Sequence, residues 1–386
     1  MSHSVVQFTK LRWLLTIGGL VLNVVDILTD TLLALKYFQE KEYVWTGLTV
    51  VFVLAGQVVT QSFSYAWYCD DLSDVQTNPE GRETIAGMSK CDLTVFHLIG
   101  GGIFTRYYHL LKEGFKEIWA TTNYHTVEQR MVVHHRLFCL ATDLSMLRLF
   151  EAFLESVPQL LLQLYIVLSQ DKHSIMQFLS MAFSFLNVAW TLVDYRRCLR
   201  RSLPHIREMP SGLPTAIYLL YKLCTITSHV LSYSLLLVLS TYSLIALAII
   251  WLLGTTWTHL QKTSFCSSKC NELFYQAVTG VILTFTFFNV KGQNTKVDMI
   301  LYYIFHSVIN IMAPSLLALL KPDLQTATFF LTVSGLIIGG SLLGLLSLVL
   351  YYLFLHPKEN LRQADEVDGV GIETGTTNRI MNFLQP

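Results

Sequence analysis

The sequence predicts an all-α polytopic membrane protein with about eight transmembrane helices and two partial or re-entrant helices. Hydrophobic residues make up 52% of its 386 residues and charged residues only 14%, against roughly 25% charged residues in an ordinary globular protein. Five stretches longer than 20 residues contain no Asp, Glu, Lys or Arg, and about 20 apolar residues suffice for a helix to cross a bilayer. The alternating segments of a β-barrel are missing. These observations exclude a soluble protein, and the net charge of zero argues against nucleic-acid binding.

The N-terminal membrane half, residues 1–195, contains five apolar segments, of which four are predicted to cross the membrane. Arginines crowd the connection that follows, residues 196–213, and the positive-inside rule places it in the cytoplasm. Lys10 and Arg12 place the N-terminus on the same side, so an even number of segments must cross. Segment 91–113 is predicted to be partial and re-entrant, because three glycines, 100–102, interrupt it. The four predicted spans are 13–38, 43–69, 138–169 and 173–195.

The C-terminal membrane half, residues 214–356, shows the same arrangement. Segment 273–290 is predicted to be its partial helix, which returns the tail, residues 357–386, to the cytoplasm. Each half then consists of two spans, a partial helix and two spans, an order consistent with an ancient internal repeat. The identity between the halves is too low to prove it. The predicted spans are 214–238, 241–259, 297–320 and 324–355, with a tight turn near Ser240-Thr241.

Seven charged residues are predicted to lie within the membrane or near its edge, and a charge at the bilayer centre costs about 2.5–3.5 kcal/mol on insertion scales. Asp26 and Asp30 are four residues apart and therefore share one face of the first helix. Pro158 is expected to kink its helix or to end the first half of it. Such charges face the interior of a bundle, where they are paired or hydrated. The seven residues are Asp26, Asp30, Asp143, Arg148, Glu151, Glu155 and Asp194.

These charges allow two interpretations, which do not exclude each other. In the structural one, Arg148 pairs with Glu151 or Asp143 and ties helices together. In the functional one, the acidic residues line a polar furrow for an ion or a lipid headgroup. Asp26 and Asp30 favour the functional interpretation, since two like charges on one face need a cation or water. A buried ion-pair network can also hold such a furrow closed.

The sequence offers no catalytic residue and no metal-binding or cofactor-binding motif. H-E-x-x-H, G-x-S-x-G, Walker A and dinucleotide-binding motifs are missing, as is a T-V-G-Y-G filter. Cys266 and Cys270 could form half of a metal site or a disulfide, but a lone pair favours two ordinary thiols. His134 and His135 are adjacent, so both rings cannot face one metal from a single helix. We therefore predict a protein that is not an enzyme and needs no cofactor.

The polar tail that follows the last span contains the tetrapeptide that executioner caspases prefer, Asp365-Glu366-Val367-Asp368, followed by the small residue Gly369. A flexible terminus presents such an extended peptide readily. An incidental acidic patch is the alternative, because four-residue motifs arise by chance. The position of the motif in the longest polar segment, on the predicted cytoplasmic side, favours a regulatory cut after Asp368.

An apolar cluster closes the chain beyond the predicted cut. Its helical spacing suits docking into a groove between the cytoplasmic ends of helices. A docked tail that a protease can remove is an off-switch, so deletion of residues 369–386 is expected to give constitutive activity. Incidental apolar residues at a polar terminus are the alternative. The cluster consists of Ile380, Met381, Phe383 and Leu384.

Three segments of the chain, around residues 144–160, 101–107 and 285–296, resemble the XK-related family of membrane proteins. The segment Leu144-Ser-Met-Leu-Arg-Leu-Phe-Glu151, continuing to Pro158-Gln159-Leu160, is similar to the family's signature. GGIFTRY at residues 101–107 and FTFFNVKGQNTK at residues 285–296 resemble it as well. The resemblance extends over nearly the whole chain, from the helix of Asp26 to the tail.

The resemblance implies a caspase-activated phospholipid scramblase of the plasma membrane that exposes phosphatidylserine during apoptosis. It also implies eight spans with two re-entrant segments, no requirement for ATP or calcium, and no obligatory chaperone subunit, so that a monomer is expected. Membrane phospholipids and an executioner caspase are then the partners. Scrambling needs a hydrophilic path for the headgroup, which the acidic residues could line while Arg148 holds or attracts the phosphate.

Other functions stay open at this point. The same acidic cluster would suit an ion channel or a small-solute transporter, and a transporter is expected to show ion-coupled uptake. A structural partner of another membrane protein is a further alternative, since the founding member of the family pairs with one. Bidirectional lipid transfer in liposomes distinguishes a scramblase from both.

Overall fold

The structure, a computed structural model, describes residues 8–73, 84–85, 88–119, 127–169, 175–202, 209, 212–263, 265–266, 268–290, 296–321 and 328–355. These residues are almost entirely helical, which confirms the predicted all-α class. The exception is an antiparallel hairpin in which β1 (Thr84–Ile85) pairs with β2 (Met88–Ser89). The predicted caspase motif and the predicted docking cluster of the tail lie outside the described residues.

The helices of the N-terminal half follow the predicted order. The predicted partial segment is divided between α3 and α4, and the fourth apolar segment is a continuous rod in which α5 and α6 flank a π-helical turn, Ala152–Ser156. The helices are α1 (Lys10–Gln39), α2 (Tyr43–Ser73), α3 (Lys90–Leu98), α4 (Gly102–Trp119), α5 (Val127–Glu151), α6 (Val157–Ser169) and α7 (Ile175–Ser202).

The helices of the C-terminal half also follow the predicted order. The first two are joined by the predicted tight turn, in which the Ser240 N–H donates to the Leu236 carbonyl oxygen at 3.0 Å. The last helix ends in a second π-helical turn, Tyr351–Leu355. The helices are α8 (Leu213–Leu239), α9 (Ser243–Leu260), α10 (Lys269–Phe285), α11 (Lys296–Leu320) and α12 (Thr328–Leu350).

Seven helices of the described residues are long and apolar enough to cross a membrane: α1, α2, α7, α8, α9, α11 and the helix that begins with α12. They correspond to seven of the eight predicted spans. The eighth, residues 138–169, is the rod of α5 and α6, whose four intramembrane charges lower its hydropathy. The division into halves 1–195 and 214–356, joined by the connection 196–213, stays a prediction.

The predicted glycine break between α3 and α4 is confirmed. Gly100 has a φ of 83°, a left-handed conformation that favours glycine. The side chain of Gln61 on α2 bridges the break, since its Nε2 donates to the Gly100 carbonyl at 2.9 Å and its Oε1 accepts from the Gly102 N–H at 2.8 Å. A helix break inside an apolar bundle needs such partners for its backbone groups.

Pro158 does not end its helix, because the π-helical turn before it accommodates the ring. A proline ring clashes with the carbonyl group four residues earlier, which here belongs to Leu154 inside the turn. Wider winding relieves this clash, and the Val157 N–H bonds to the carbonyl of Ala152, five residues back. The turn also carries Glu155, one of the predicted intramembrane charges.

α10 ends at Phe285 within the bundle, near the end of the predicted partial segment 273–290. The last carbonyl groups of a helix have no partner within the helix, and buried side chains of α8 contact them here. His229 Nδ1 lies 2.8 Å from the Phe285 carbonyl oxygen. Lys222 Nζ, also on α8, donates at 2.9 Å to the Phe287 carbonyl oxygen, two residues beyond the end of α10.

The outer surface of the bundle is apolar. Large side chains such as Leu28, Leu253 and Leu342 are 55%, 62% and 65% exposed. Of the residues of α9, only Thr258 is buried. Continuous exposed apolar surface of this kind marks contact with a membrane, so the helices present the surface that lipid would solvate.

The contact between α9 and α10 depends on a glycine. A Cβ atom at Gly280 would lie 2.9 Å from the backbone nitrogen of Thr255 and 2.1 Å from its Oγ1. Gly280→Ala is therefore expected to force these helices apart and to destabilise the protein by about 1–3 kcal/mol, the usual range for overpacking. Thermal unfolding in detergent measures the effect. The matched control is Gly335→Ala, where a Cβ atom would meet nothing within 4 Å, and an equal loss in both variants would contradict the prediction.

Candidate functional site

α1 is amphipathic in the opposite sense from a surface helix of a soluble protein. Its exposed face is apolar, with Leu14 and Leu28 more than half exposed, whereas its buried residues are almost all polar. We name this inward polar stripe the α1 seam, and it consists of Arg12, Thr16, Asn23, Asp26 and Asp30. The seam extends along α1 from Arg12 to Asp30, a rise of about 27 Å at about 1.5 Å per residue. This length is close to the hydrocarbon thickness of a bilayer, roughly 30 Å.

Arg148 of α5 contacts the middle of the α1 seam. Its Nη1 donates to Asn23 Oδ1 on α1 and to Glu151 Oε2 one turn further along α5. Glu151 Oε1 accepts a second hydrogen bond, from Gln57 Nε2 on α2, at 3.3 Å. All of these groups except Gln57 are fully enclosed. Of the two pairings expected for Arg148, the structure forms the one with Glu151.

Acidic side chains gather at the Asp30 end of the α1 seam. Asp26 Oδ2 accepts from Ser156 Oγ at 3.1 Å and from Asn187 Nδ2 at 3.3 Å. The carboxyl groups of Asp30 and Glu155 adjoin each other, and both residues are buried. With Glu151, this half of the seam holds four carboxyl groups and the single cation of Arg148, which leaves it with an excess of acidic residues.

The π-helical turn places Glu155 directly against α2. A Cβ atom at Gly56 would lie 2.9 Å from both the Cβ and the Oε2 of Glu155. One turn further along α2, Gln61 Nε2 donates to Gln57 Oε1 at 3.1 Å and also holds the glycine break. Hydrogen bonds therefore connect Glu151 of the acidic group to the loop between α3 and α4.

The opposite end of the α1 seam is an ion pair between α1 and α7. Both Nη atoms of Arg12 donate to the carboxylate of Asp194, and Arg12 Nη2 also lies 2.7 Å from Cys198 Sγ. The Asp194 side chain is 25% exposed, whereas that of Arg12 is 6% exposed. Asp194, expected near the membrane edge from its position before the basic connection, thus has its partner in the first helix.

Asp143 lies apart from the α1 seam. It accepts from Arg106 Nη1 at 3.0 Å, and both side chains are almost completely buried. Arg106 Nη2 donates to the Ser64 carbonyl oxygen at 3.0 Å, and its guanidinium carbon lies 3.9 Å from the centre of the Tyr68 ring. This enclosed contact between α2, α4 and α5 favours the structural interpretation for Asp143.

Several residues of the site were not predicted. Arg12 entered the sequence analysis only as a marker of orientation and Arg106 only as part of the segment 101–107, although each forms a buried ion pair. Asn23 and Thr16 could have been found, because with Arg12, Asp26 and Asp30 they repeat at helical spacing. Gln57, Ser156 and Asn187 carry no comparable signal, since isolated polar residues are common in transmembrane helices.

The described residues contain no group of three His, Cys, Asp or Glu side chains that could hold a metal ion. The seven cysteines, all of which lie in the described part of the chain, are thiols. For Cys266 and Cys270 the structure therefore has the two thiols that the sequence favoured.

A charged seam enclosed by helices with apolar outer faces defines a polytopic membrane protein with a buried polar network. The model of the XK-related protein family matches residues 14–357. A Tetraodon nigroviridis protein, "XK-related protein 9", is 57% identical over 380 residues, which are 98% of this chain and 100% of that relative. "XK-related protein 8" of Gasterosteus aculeatus is 31% identical over 360 residues, 91% of this chain and 86% of the relative. The chain belongs to the XK-related family.

Proposed function

We propose that this protein is a phospholipid scramblase, which moves lipids in both directions between leaflets and exposes phosphatidylserine in apoptosis. The observation that carries the proposal is the α1 seam, a polar stripe of about bilayer length beneath an apolar surface. A headgroup can follow such a stripe while its acyl chains stay in lipid. Because lipids move down their gradient, the process needs neither ATP hydrolysis nor covalent chemistry.

Beside the middle of the α1 seam, Arg148 attracts the phosphate of the headgroup. The carboxylates of Asp26, Asp30 and Glu155 keep the path hydrated and attract the amine that many headgroups carry. Intramembrane acidic residues typically line such hydrated pathways. Asp143, enclosed beside Arg106, braces the bundle in this proposal.

Transport along the seam requires the bundle to open. A cavity beside the seam, lined by Arg12 and Arg148, has a volume of about 40 Å3, which holds a few water molecules only. The contacts of Arg148 with Asn23 and of Arg12 with Asp194 hold α1 against α5 and α7. We infer that the intact protein rests in this closed arrangement.

The tail provides the switch in this proposal. Docking of Ile380, Phe383 and Leu384 between the cytoplasmic ends of helices keeps the bundle closed, and an executioner caspase removes them by cutting after Asp368. Both termini then lie in the cytoplasm, with the protein in the plasma membrane. A monomer without a chaperone subunit is sufficient for this mechanism.

Reconstitution into liposomes with fluorescent lipids tests the function. Protein treated with executioner caspase is expected to expose lipids of both leaflets to an external quencher, and the intact protein in parallel liposomes is expected to expose only the outer leaflet. Equal transfer before and after cleavage would refute the switch. No transfer in either state would refute the scramblase.

Asp30→Asn is expected to slow lipid transfer by about tenfold, since a change of about 1.4 kcal/mol in a barrier has that effect. The substitution keeps the side chain's size but replaces its carboxyl group with an amide in the acidic half of the seam. The initial rate of fluorescence loss in liposomes measures the effect. Glu42→Gln, which neutralises an exposed acid before α2, is the matched control and should leave the rate unchanged. Equal rates in the wild type and in both variants would show that Asp30 does not line the path of the headgroup.

A cation channel or transporter is the alternative that a specific observation favours. Four carboxyl groups with one adjoining arginine, among the described residues, would attract cations as well as lipid amines. Uptake of a cation into the same liposomes, without transfer of lipid, would support this alternative. A structural role beside another membrane protein predicts neither uptake nor lipid transfer.

A further inference from the structure

A cavity lies between α1, α4, α5 and α7, in the half of the α1 seam that is nearer to the start of α1. Two arginines line it, Arg12 and Arg148, together with the hydroxyl-bearing side chains of Thr16, Tyr107 and Ser145. Asp194 is the acidic residue among its lining residues. The lining therefore carries two positive charges and one negative charge, although one of the two cations, Arg148, is also bonded to Glu151 of the acidic half.

This set of side chains suits an oxyanion. A guanidinium group presents a planar fork of N–H donors that matches the oxygen atoms of a carboxylate or a phosphate equally well. Hydroxyl groups can donate to the remaining oxygen atoms. In the closed arrangement, both Nη atoms of Arg12 donate to Asp194 and Arg148 Nη1 donates to Glu151. Carboxylates thus occupy the positions that a phosphate would take.

The two carboxylates differ in how readily they can be replaced. The Glu151 side chain is 3% exposed and also accepts from Gln57 on α2. The Asp194 side chain is 25% exposed, so water can solvate it when it leaves Arg12. Arg12 is therefore the cation of this cavity that can exchange its partner.

We propose that this cavity is a phosphate-binding site for phospholipid headgroups, in which the phosphate replaces Asp194 at the guanidinium group of Arg12. The inference rests on the proposed scramblase function. It adds a site at which the headgroup binds on its way between one leaflet and Arg148. The cavity must widen to admit the headgroup. Trp190, half-buried at its edge, and Leu22, exposed on α1, border the side on which the acyl chains would remain.

Protection of a cysteine from modification tests the site without measuring transport. In full-length protein in detergent, Thr16→Cys places a thiol in the cavity, and its modification by methyl methanethiosulfonate is followed by peptide mass spectrometry. Dihexanoyl phosphatidylserine is expected to slow modification at position 16 severalfold, whereas dihexanoylglycerol, which lacks phosphate, is not. Leu14→Cys, on the lipid-facing side of α1, is the matched control. Its modification by the reagent should proceed at the same rate in the presence of either lipid.

Two further substitutions separate binding from folding. Arg12→Gln is expected to abolish the protection, because it removes the anion-binding group. Asp194→Asn is expected to lower the half-protecting lipid concentration by about tenfold, because the competing carboxylate loses its charge. A purely structural ion pair would make both variants weaken protection alike, and that result would overturn the proposal.

The remaining outcomes are equally decisive. Equal protection by the phosphate-free lipid would overturn the site, because burial by acyl chains would explain it. Protection by inorganic phosphate at the same concentration as the lipid would assign the site to a free anion and overturn the headgroup assignment. Protection that depends on Arg12, in a protein that transfers no lipid in liposomes, would support the site and refute the scramblase.

Discussion

Arg148→Gln is expected to destabilise the protein by about 3–5 kcal/mol, the usual cost of removing one partner of a buried ion pair. The substitution leaves the charge of Glu151 enclosed beside Asp26 and Glu155, with Gln57 as its described hydrogen-bond partner. A lower temperature of thermal unfolding in detergent measures the loss.

The double variant Arg148→Gln/Glu151→Gln is expected to recover most of this stability. Two amide side chains remove the uncompensated charge and can still bond to Asn23 and Gln57. Lipid transfer should nevertheless stay low, because no cation remains in the middle of the α1 seam. Recovery of both stability and transfer would show that Arg148 only ties helices together. A double variant no more stable than the single one would contradict the pairing with Glu151.

Asp368→Ala is expected to abolish activation by executioner caspase, because these proteases require aspartate at the bond that they cut. The variant should expose only outer-leaflet lipid in liposomes after protease treatment, as the untreated wild type does. Electrophoresis of the same sample should show an uncut chain.

Deletion of residues 369–386 is the complementary variant, and it should transfer lipid without any protease. Because the deletion bypasses cleavage, its activity would show that the membrane helices transfer lipid once the tail is gone. The inactivity of Asp368→Ala would then be due to the lack of cleavage. An inert truncation, in a protein that unfolds at the wild-type temperature, would refute the docked tail as an off-switch.

The sequence was sufficient to predict most of the membrane helices and the break between α3 and α4. Apolar length located seven spans, and the three glycines located the end of α3, because these signals depend only on local chemistry. The carboxylates of the α1 seam were predicted for the same reason, since Asp26 and Asp30 are four residues apart within an apolar segment. Each of these predictions required information from one turn of helix or one span.

Pairing between distant helices could not be predicted. Arg12 and Asp194 are 182 residues apart, and Arg106 and Asp143 belong to different helices. Several arginines near the membrane were available to each carboxylate, and only the packing of helices selects among them. The π-helical turn was also missed, because Pro158 is compatible with a kink, a helix end or a wider turn, and the neighbouring contacts determine which one forms.

The polar face of α1 has a consequence for the synthesis of the chain. Asp26 enters the membrane before the side chains that bond to it exist, since Ser156 and Asn187 follow 130 and 161 residues later. At about 5–20 residues per second, the ribosome needs roughly 7 to 30 seconds to supply them. During that interval the insertion machinery must shield the carboxylates of the first helix, until the later helices that bond to them have been synthesised and inserted. Mutations that remove these late partners should therefore reduce the amount of protein that is inserted and folded, even where they leave the finished fold intact.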